Sequence, residues 1–116
     1  MMEDDDKIRD LTVYQMEQFL ARKRPPEEIR DQLDMGYKKE GQEIIIFDIR
    51  PYYKDPSVKL ELPFARTKYV KARNIWKVYW KRASGKWELY EPMPEVNSLS
   101  TFLALVEEDE YGCFLG

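Results

Sequence analysis

Four cations and two tyrosines recur at alternate positions along three neighbouring segments of the chain: Arg66 and Lys68, then Lys77, Tyr79 and Lys81, then Tyr90. On extended strands, residues two apart share a face. Three such strands side by side would display Arg66, Lys68, Lys77, Tyr79, Lys81 and Tyr90 on one surface. Cations neutralise phosphates and flat rings stack on bases. Several binders of single-stranded nucleic acid carry both on a sheet. The plainer reading is a solvated sheet face, or one covered by acids such as Glu95 or those of 107–110. No established single-strand motif matches, and an acidic protein surface is the alternative partner.

A second cluster is Asp48 with Arg50, two apart on one apolar segment, and Tyr37 on the segment before it. Together they could form a polar pocket, with Asp48 as a base, Arg50 as an anion clamp and Glu61 nearby. A structural ion pair explains the same residues more simply, because burial of charge demands pairing.

Other chemistries are closed. The chain has 116 residues and no histidine, so it has no imidazole base or ligand. Its single cysteine, Cys113, rules out an internal disulfide and a cysteine zinc site. Cys113 lies among acids, which raise a thiol pKa, and reads as a small apolar residue. Ser84-Gly85-Lys86 is followed by Trp87 rather than Ser or Thr, and Trp80 stands where a phosphate loop needs its first glycine. No catalytic residue, metal or cofactor is implied. Trp76, Trp80 and Trp87 read as a core surface rather than a ligand cage.

The elements that must position these residues follow from periodicity. Residues 7–23 predict a helix with Ile8, Leu11, Met16, Phe19 and Leu20 on one stripe. Pro25-Pro26 ends it and starts a short helical turn reaching about Leu33. Residues 35–40 and 43–51 read as strands joined at Gly41, the second apolar on both faces and so central. Residues 52–57 read as loop. Strands are expected at 64–72, 75–82 and 86–91, joined by two-residue turns at Arg73-Asn74 and Ser84-Gly85.

In that register Thr67 faces Trp80, Tyr69 faces Val78, Trp80 faces Leu89 and Tyr79 faces Tyr90. All three tryptophans then share one face with Tyr69, Val78 and Leu89, opposite the basic one. A last helix over 99–109 buries Leu99, Phe102, Leu103 and Val106. Its acidic end opposes the helix dipole and needs a basic neighbour. The apolar tail of 111–116 should dock on its own sheet or on the edge of a partner.

The formal charge of −3 conceals segregation. Residues 62–87 hold eight bases and no acid, and residues 88–116 hold seven acids and no base. These blocks could pair within one molecule or between two, so a homodimer joined by opposite charges is a further possibility.

The segments Arg24-Pro25-Pro26, Ile46-Phe47-Asp48-Ile49-Arg50-Pro51, Tyr69-Val70-Lys71-Ala72-Arg73, Trp76-Lys77-Val78-Tyr79-Trp80, Trp87-Glu88-Leu89-Tyr90-Glu91-Pro92 and the run from Glu107 to Phe114 carry a resemblance. In order and content they resemble a bacterial family catalogued as domain of unknown function family 3024. The resemblance spans nearly the whole chain. It implies a small bacterial cytoplasmic protein and carries over no activity.

The expected fold is α+β in a single domain, 1–116, with 1–6 frayed. A five-stranded antiparallel curved sheet, a hairpin plus a three-strand meander, is packed on one face by the N- and C-terminal helices. The longest apolar run, 44–47, is too short to span a membrane, and the acidic start is unlike a signal peptide, so a cytoplasmic location is expected. The expected function is a non-enzymatic binding module using the basic aromatic face.

Overall fold

The computed structural model describes residues 2–115, with side chains from Leu11 onward. Helix α1 runs Met2–Lys23, followed by a 3₁₀ turn at Glu27–Ile29. Six strands follow: β1 Asp34–Glu40, β2 Glu43–Tyr52, β3 Asp55–Val70, β4 Ile75–Lys81, β5 Trp87–Leu89 and β6 Glu95–Val96. Helix α2, Leu99–Glu108, closes the chain. The architecture is α+β, as the periodicity predicts. The sheet is antiparallel and ordered β1-β2-β3-β4-β5, with β6 also paired to β4. Helix α1 starts at Met2, inside the stretch 1–6 expected to fray, and the reading of Ile8 as core falls on a side chain outside the described residues.

Both helices pack on one face of the sheet. Along α1 the buried positions are Thr12, Met16, Phe19 and Leu20, whereas Leu11 is exposed. The stripe is therefore rotated from the expected one, with a threonine where a leucine was expected. Helix α2 buries Leu99, Phe102, Leu103 and Val106 as its spacing requires. Ser98 caps it, accepting the Thr101 N–H at 3.1 Å. From the sheet, Ile44, Ile46, Ala65, Thr67, Trp76 and Val78 meet the helices. Thr67 is fully buried and satisfies its hydroxyl by donating to the Lys77 carbonyl at 2.7 Å.

Arg22 of α1 sits 2.9 Å from Glu107 and so supplies the basic neighbour that the acidic end of α2 lacks on its own helix. The C-terminal tail docks on its own chain, as a turn rather than a strand. The Asp109 carboxylate accepts the N–H groups of Phe114 and Leu115 at 2.9 and 2.8 Å. The Phe114 ring then lies 5.0 Å from that of Tyr90 in the core.

Arg24 clamps the end of α1 to the start of the sheet. Its guanidinium donates to both oxygens of Asp34, at 2.9 and 2.7 Å. Asp34 also accepts the Met35 N–H at 2.8 Å. The Arg24 hydrogen bonds hold the Asp34 carboxyl below its ordinary range, with the Met35 N–H adding to the effect. A depressed pKa stabilises the fold above the unfolded-state value and loses that contribution as pH falls through the folded value. Asp34→Asn is expected to cost about 1 kcal/mol at pH 7, or roughly 3–6 °C in Tm. Below roughly pH 4 the gap to the parent should close. Thermal melts across pH check this, and a gap that persists in acid would sink the clamp as its cause.

Three departures from the expected strands matter for the site. The first is β3, which starts at Asp55 rather than at residue 64 and forms a long hairpin with β2. Its pairing slips between Ile46–Ala65 and Phe47–Pro63, so Phe64 is an extra residue, and its ring is buried. The second is the connection from β3 to β4. A 3₁₀ turn, Lys71–Arg73, and a left-handed Asn74 make it longer than two residues, and Val70 pairs with Ile75. The register moves by an even step, so faces are conserved. Thr67 opposes Val78, and Tyr69 opposes Trp76.

The third is the connection from β4 to β5. The Arg82 N–H donates to the Lys86 carbonyl at 2.9 Å, which leaves Ala83, Ser84 and Gly85 as a three-residue loop. Gly85 takes φ +90°, the left-handed position such a loop requires. The extra residue shifts β5 by one. Tyr79 opposes Leu89, and Lys81 opposes Trp87. Every β5 side chain therefore sits on the face opposite to the expected one.

Candidate functional site

The face of the sheet away from the helices collects residues in rows across the strands. One row runs Glu40, Glu43, Lys68, Lys77 and Glu95 through β1, β2, β3, β4 and β6. The next runs Lys38, Ile45, Arg66, Tyr79 and Leu89. Lys81 and Trp87 oppose each other beyond it. Alternation along β3 and β4 puts these cations on one side, because their neighbours Ala65, Thr67, Trp76 and Val78 are committed to the core.

The charge pairing along the first row decides its character. Of its three acids, the two that flank the lysines, Glu43 and Glu95, are engaged by arginines. Arg66 forms an ion pair with Glu43. Arg73 holds Glu95 with two bonds, at 2.7 and 2.8 Å. Those hydrogen bonds, and then the Arg73 and Lys77 charges, keep the Glu95 carboxyl below its ordinary range. Between these occupied acids, Lys68 and Lys77 stand directly opposite one another on adjacent strands. Like charges placed so repel.

Arg66 makes the aromatic part of the face. Its guanidinium lies 4.9 Å from the centroid of Tyr79 and 5.8 Å from that of Trp87. The Lys81 ammonium is also 5.8 Å from Trp87. The Arg66 Nε–H is buried and meets no acceptor among the described residues. A cationic platform backed by two rings can hold a flat or anionic group by stacking and charge together.

Five of the six expected face residues, Arg66, Lys68, Lys77, Tyr79 and Lys81, lie on this side. Tyr90 does not. The one-residue shift of β5 turns it inward, where it is 2% exposed against Phe114. Burial raises its hydroxyl pKa, and the Cys113, Tyr111, Glu110 and Asp109 charges add to this. Trp87, expected in the core with Trp76 and Trp80, takes its place on the open face for the same reason. The signal that could have located it was the loop: Ala83-Ser84-Gly85 fits a three-residue connection as well as Ser84-Gly85 fits two.

The second cluster is looser than its sequence spacing suggests. Asp48 and Arg50 share a face, but their closest polar atoms are 3.9 Å apart, too far for a hydrogen bond. Burial raises the Asp48 carboxyl pKa, and the Arg50 charge opposes the rise. Tyr37 opposes Ile46, and Met35 opposes Asp48. Tyr37 is raised by burial and by Glu17 of α1, with no hydrogen bond to either partner among the described residues. Glu61 opposes Ile49, so it projects from the other face and pairs with Lys38 at 3.0 Å. Cys113 is half-buried, and burial, with the charges of Asp109 and Glu88, pushes its thiol pKa up. Among the described residues no cluster of three Cys, Asp or Glu side chains could hold a metal.

The acidic C-terminal block meets bases of its own chain. Glu95 pairs with Arg73, Glu88 with Arg82 at 3.1 Å, and Glu107 with Arg22. With Arg66 held by Glu43, the arginines of the basic segment are all engaged, while Lys68, Lys77 and Lys81 have no ion-pair partner among the described residues.

A family model described as a domain of unknown function, DUF3024, matches residues 4–116. The chain belongs to the DUF3024 family. The match covers every strand and both sides of the sheet, so the open face is part of the DUF3024 domain itself. Searches of the curated proteins and of the solved structures return no match. No helix of this DUF3024 protein is long and apolar enough to cross a membrane, among the described residues.

Proposed function

We propose that the chain is a non-enzymatic binding module whose open sheet face takes a polyanion, with single-stranded nucleic acid as the ligand class it suits best. One observation supports this above the others: Lys68 and Lys77 oppose each other across β3 and β4, with both flanking acids already held by arginines. Each lysine faces one arginine-held acid, Glu43 or Glu95, yet the two ammonium groups still repel across the strands. An anion lying between the two ammonium groups offsets their repulsion. Tyr79 and Trp87 add ring surface beside them, and Arg66 and Lys81 bring further cations.

The open Asp48–Arg50 geometry gives little support to an enzyme. Pairing of the acidic block within the chain gives little support to copies joined by opposite charge blocks.

The test is binding of fluorescently labelled oligo-U and oligo-dT by anisotropy across a salt series. With Lys68, Lys77 and Lys81 as the contacting cations, log K should fall against log salt with a slope of about −2 on a single strand. Failure to bind either strand at low ionic strength overturns the nucleic-acid reading. Binding of polyglutamate but neither oligonucleotide would replace it with an acidic protein surface.

A further inference from the structure

Strand β3 is paired along its length by β2, but β4 covers its other edge only from Ala65 onward. From Asp55 to Phe64 that outer edge has no strand beside it among the described residues. Pro56 and Pro63 blunt the two ends of this edge and Lys59 places a charge on it, so the open stretch lies between the prolines. Val58, Leu60 and Leu62 alternate along it and are 45%, 38% and 45% exposed. Between the prolines, this apolar alternation on an unpaired edge can template another strand.

We infer that this edge pairs with the same edge of a second copy, antiparallel, about a two-fold axis at Leu60. The strand is its own complement in that register. Lys59 falls opposite Glu61 of the second copy, and Glu61 opposite its Lys59. Val58 falls opposite Leu62, and Leu60 opposite Leu60. From Val58 to Leu62 opposite charges and apolar side chains meet at every cross-strand position, each a favourable pair. A shift of the axis by one residue, to Lys59 or Glu61, would set a like charge against itself, so the sequence selects one register.

The backbone agrees. Pro51 opposes Lys59 and Pro63 opposes Phe47 in the β2–β3 ladder. Proline has no N–H, so those pairs belong to the set that exchanges no hydrogen bonds within the hairpin. Lys59 and Glu61 share that parity. Their N–H and C=O groups therefore point outward, where two copies can exchange them reciprocally. Within one chain Glu61 already meets Lys38, and the Lys59 ammonium reaches the Asp31 carbonyl at 2.6 Å. Both side chains are exposed, so a second copy places its Lys59 beside an acid that is already oriented. The axis stands perpendicular to the sheet, as an antiparallel edge pair requires, so both open faces look the same way.

Light scattering coupled to gel filtration, from micromolar to near-millimolar protein, tests this. The expected mass rises with concentration from 14.0 kDa toward twice that value. Glu61→Lys should weaken association by at least 10-fold, since it sets lysine against lysine across the axis. Adding Lys59→Glu to it should restore association, because the swapped pair is again complementary. Circular dichroism melts report whether each variant is folded. A mass that stays at 14.0 kDa at the highest concentration overturns the proposal. So does a dimer that Glu61→Lys leaves intact, or one that the double exchange does not rescue.

Discussion

Lys77→Glu combined with Lys81→Glu is expected to abolish oligonucleotide binding, at least a 100-fold loss at low salt, while leaving the fold nearly as stable. The change reverses two of the three open-face lysines, Lys68, Lys77 and Lys81, that have no ion-pair partner among the described residues, and leaves Lys68 alone to oppose them. On the stability side the terms nearly cancel. Lys77 stands opposite Lys68, so a carboxylate there replaces repulsion with attraction on that side. On its other side it meets Glu95, whose charge Arg73 already neutralises. Loss of the Lys81 contact with Trp87 costs about 0.5–1 kcal/mol. Tm should therefore move by only a few degrees. Lys54→Glu, at the far tip of the β2–β3 hairpin, is the control for mere change of net charge. Equal weakening by the control would show non-specific attraction. Undiminished binding by the double variant would place the ligand elsewhere.

Phe102→Ala should have the largest effect on folding. Phe102 is 0% exposed, and so are Met16 and Phe19 of α1 and Val78 of β4. It belongs to the short helix that closes the core, where Leu99, Leu103 and Val106 are its only buried companions on the same element. Truncating a buried phenylalanine costs about 3–5 kcal/mol through lost transfer energy and the cavity left behind. Against a typical total of about 5–15 kcal/mol, that is a large share. Urea unfolding should show a much lower midpoint with an unchanged slope. At a temperature where the variant is still folded, oligonucleotide affinity should match the parent, because the open face lies on the opposite side of the sheet. A loss under about 1.5 kcal/mol would mean that the site collapses around the truncation.

Much of the architecture was legible because burial leaves a period. Leu99, Phe102, Leu103 and Val106 recur at helical spacing, and β2 carries an unbroken apolar run that only a central strand can bury. The segment 55–63 was harder. Pro56 and Pro63 signal loop, and its alternating Val58, Leu60 and Leu62 are exposed rather than buried. Prolines are admitted at positions whose N–H is not needed by the ladder, and that depends on the partner strand, which the sequence does not name. In α1 a threonine, Thr12, took the buried position that hydrophobicity assigned to Leu11.

The candidate face shows the same division. Arg66, Lys68, Lys77, Tyr79 and Lys81 were correctly grouped because the β3–β4 connection differs from the expected one by an even number of positions. Tyr90 and Trp87 were exchanged because the β4–β5 connection differs by one. Alternation within a strand is local and readable. Which of its two sets faces water is set at the connection, where Ser84-Gly85 and Ala83-Ser84-Gly85 are both acceptable turns.

The three-residue loop between Arg82 and Lys86 has an evolutionary reading as well. Point substitutions in β5 and the residue after it can alter Trp87 or Tyr90 one at a time, each answerable to its own surroundings. A single codon lost or gained in the loop would instead exchange both at once, sending an indole into the interior and a phenol to the surface. Among relatives of this chain, then, a change of length at this loop is a better marker of a remade open face than the identity of any one residue in the strand it feeds.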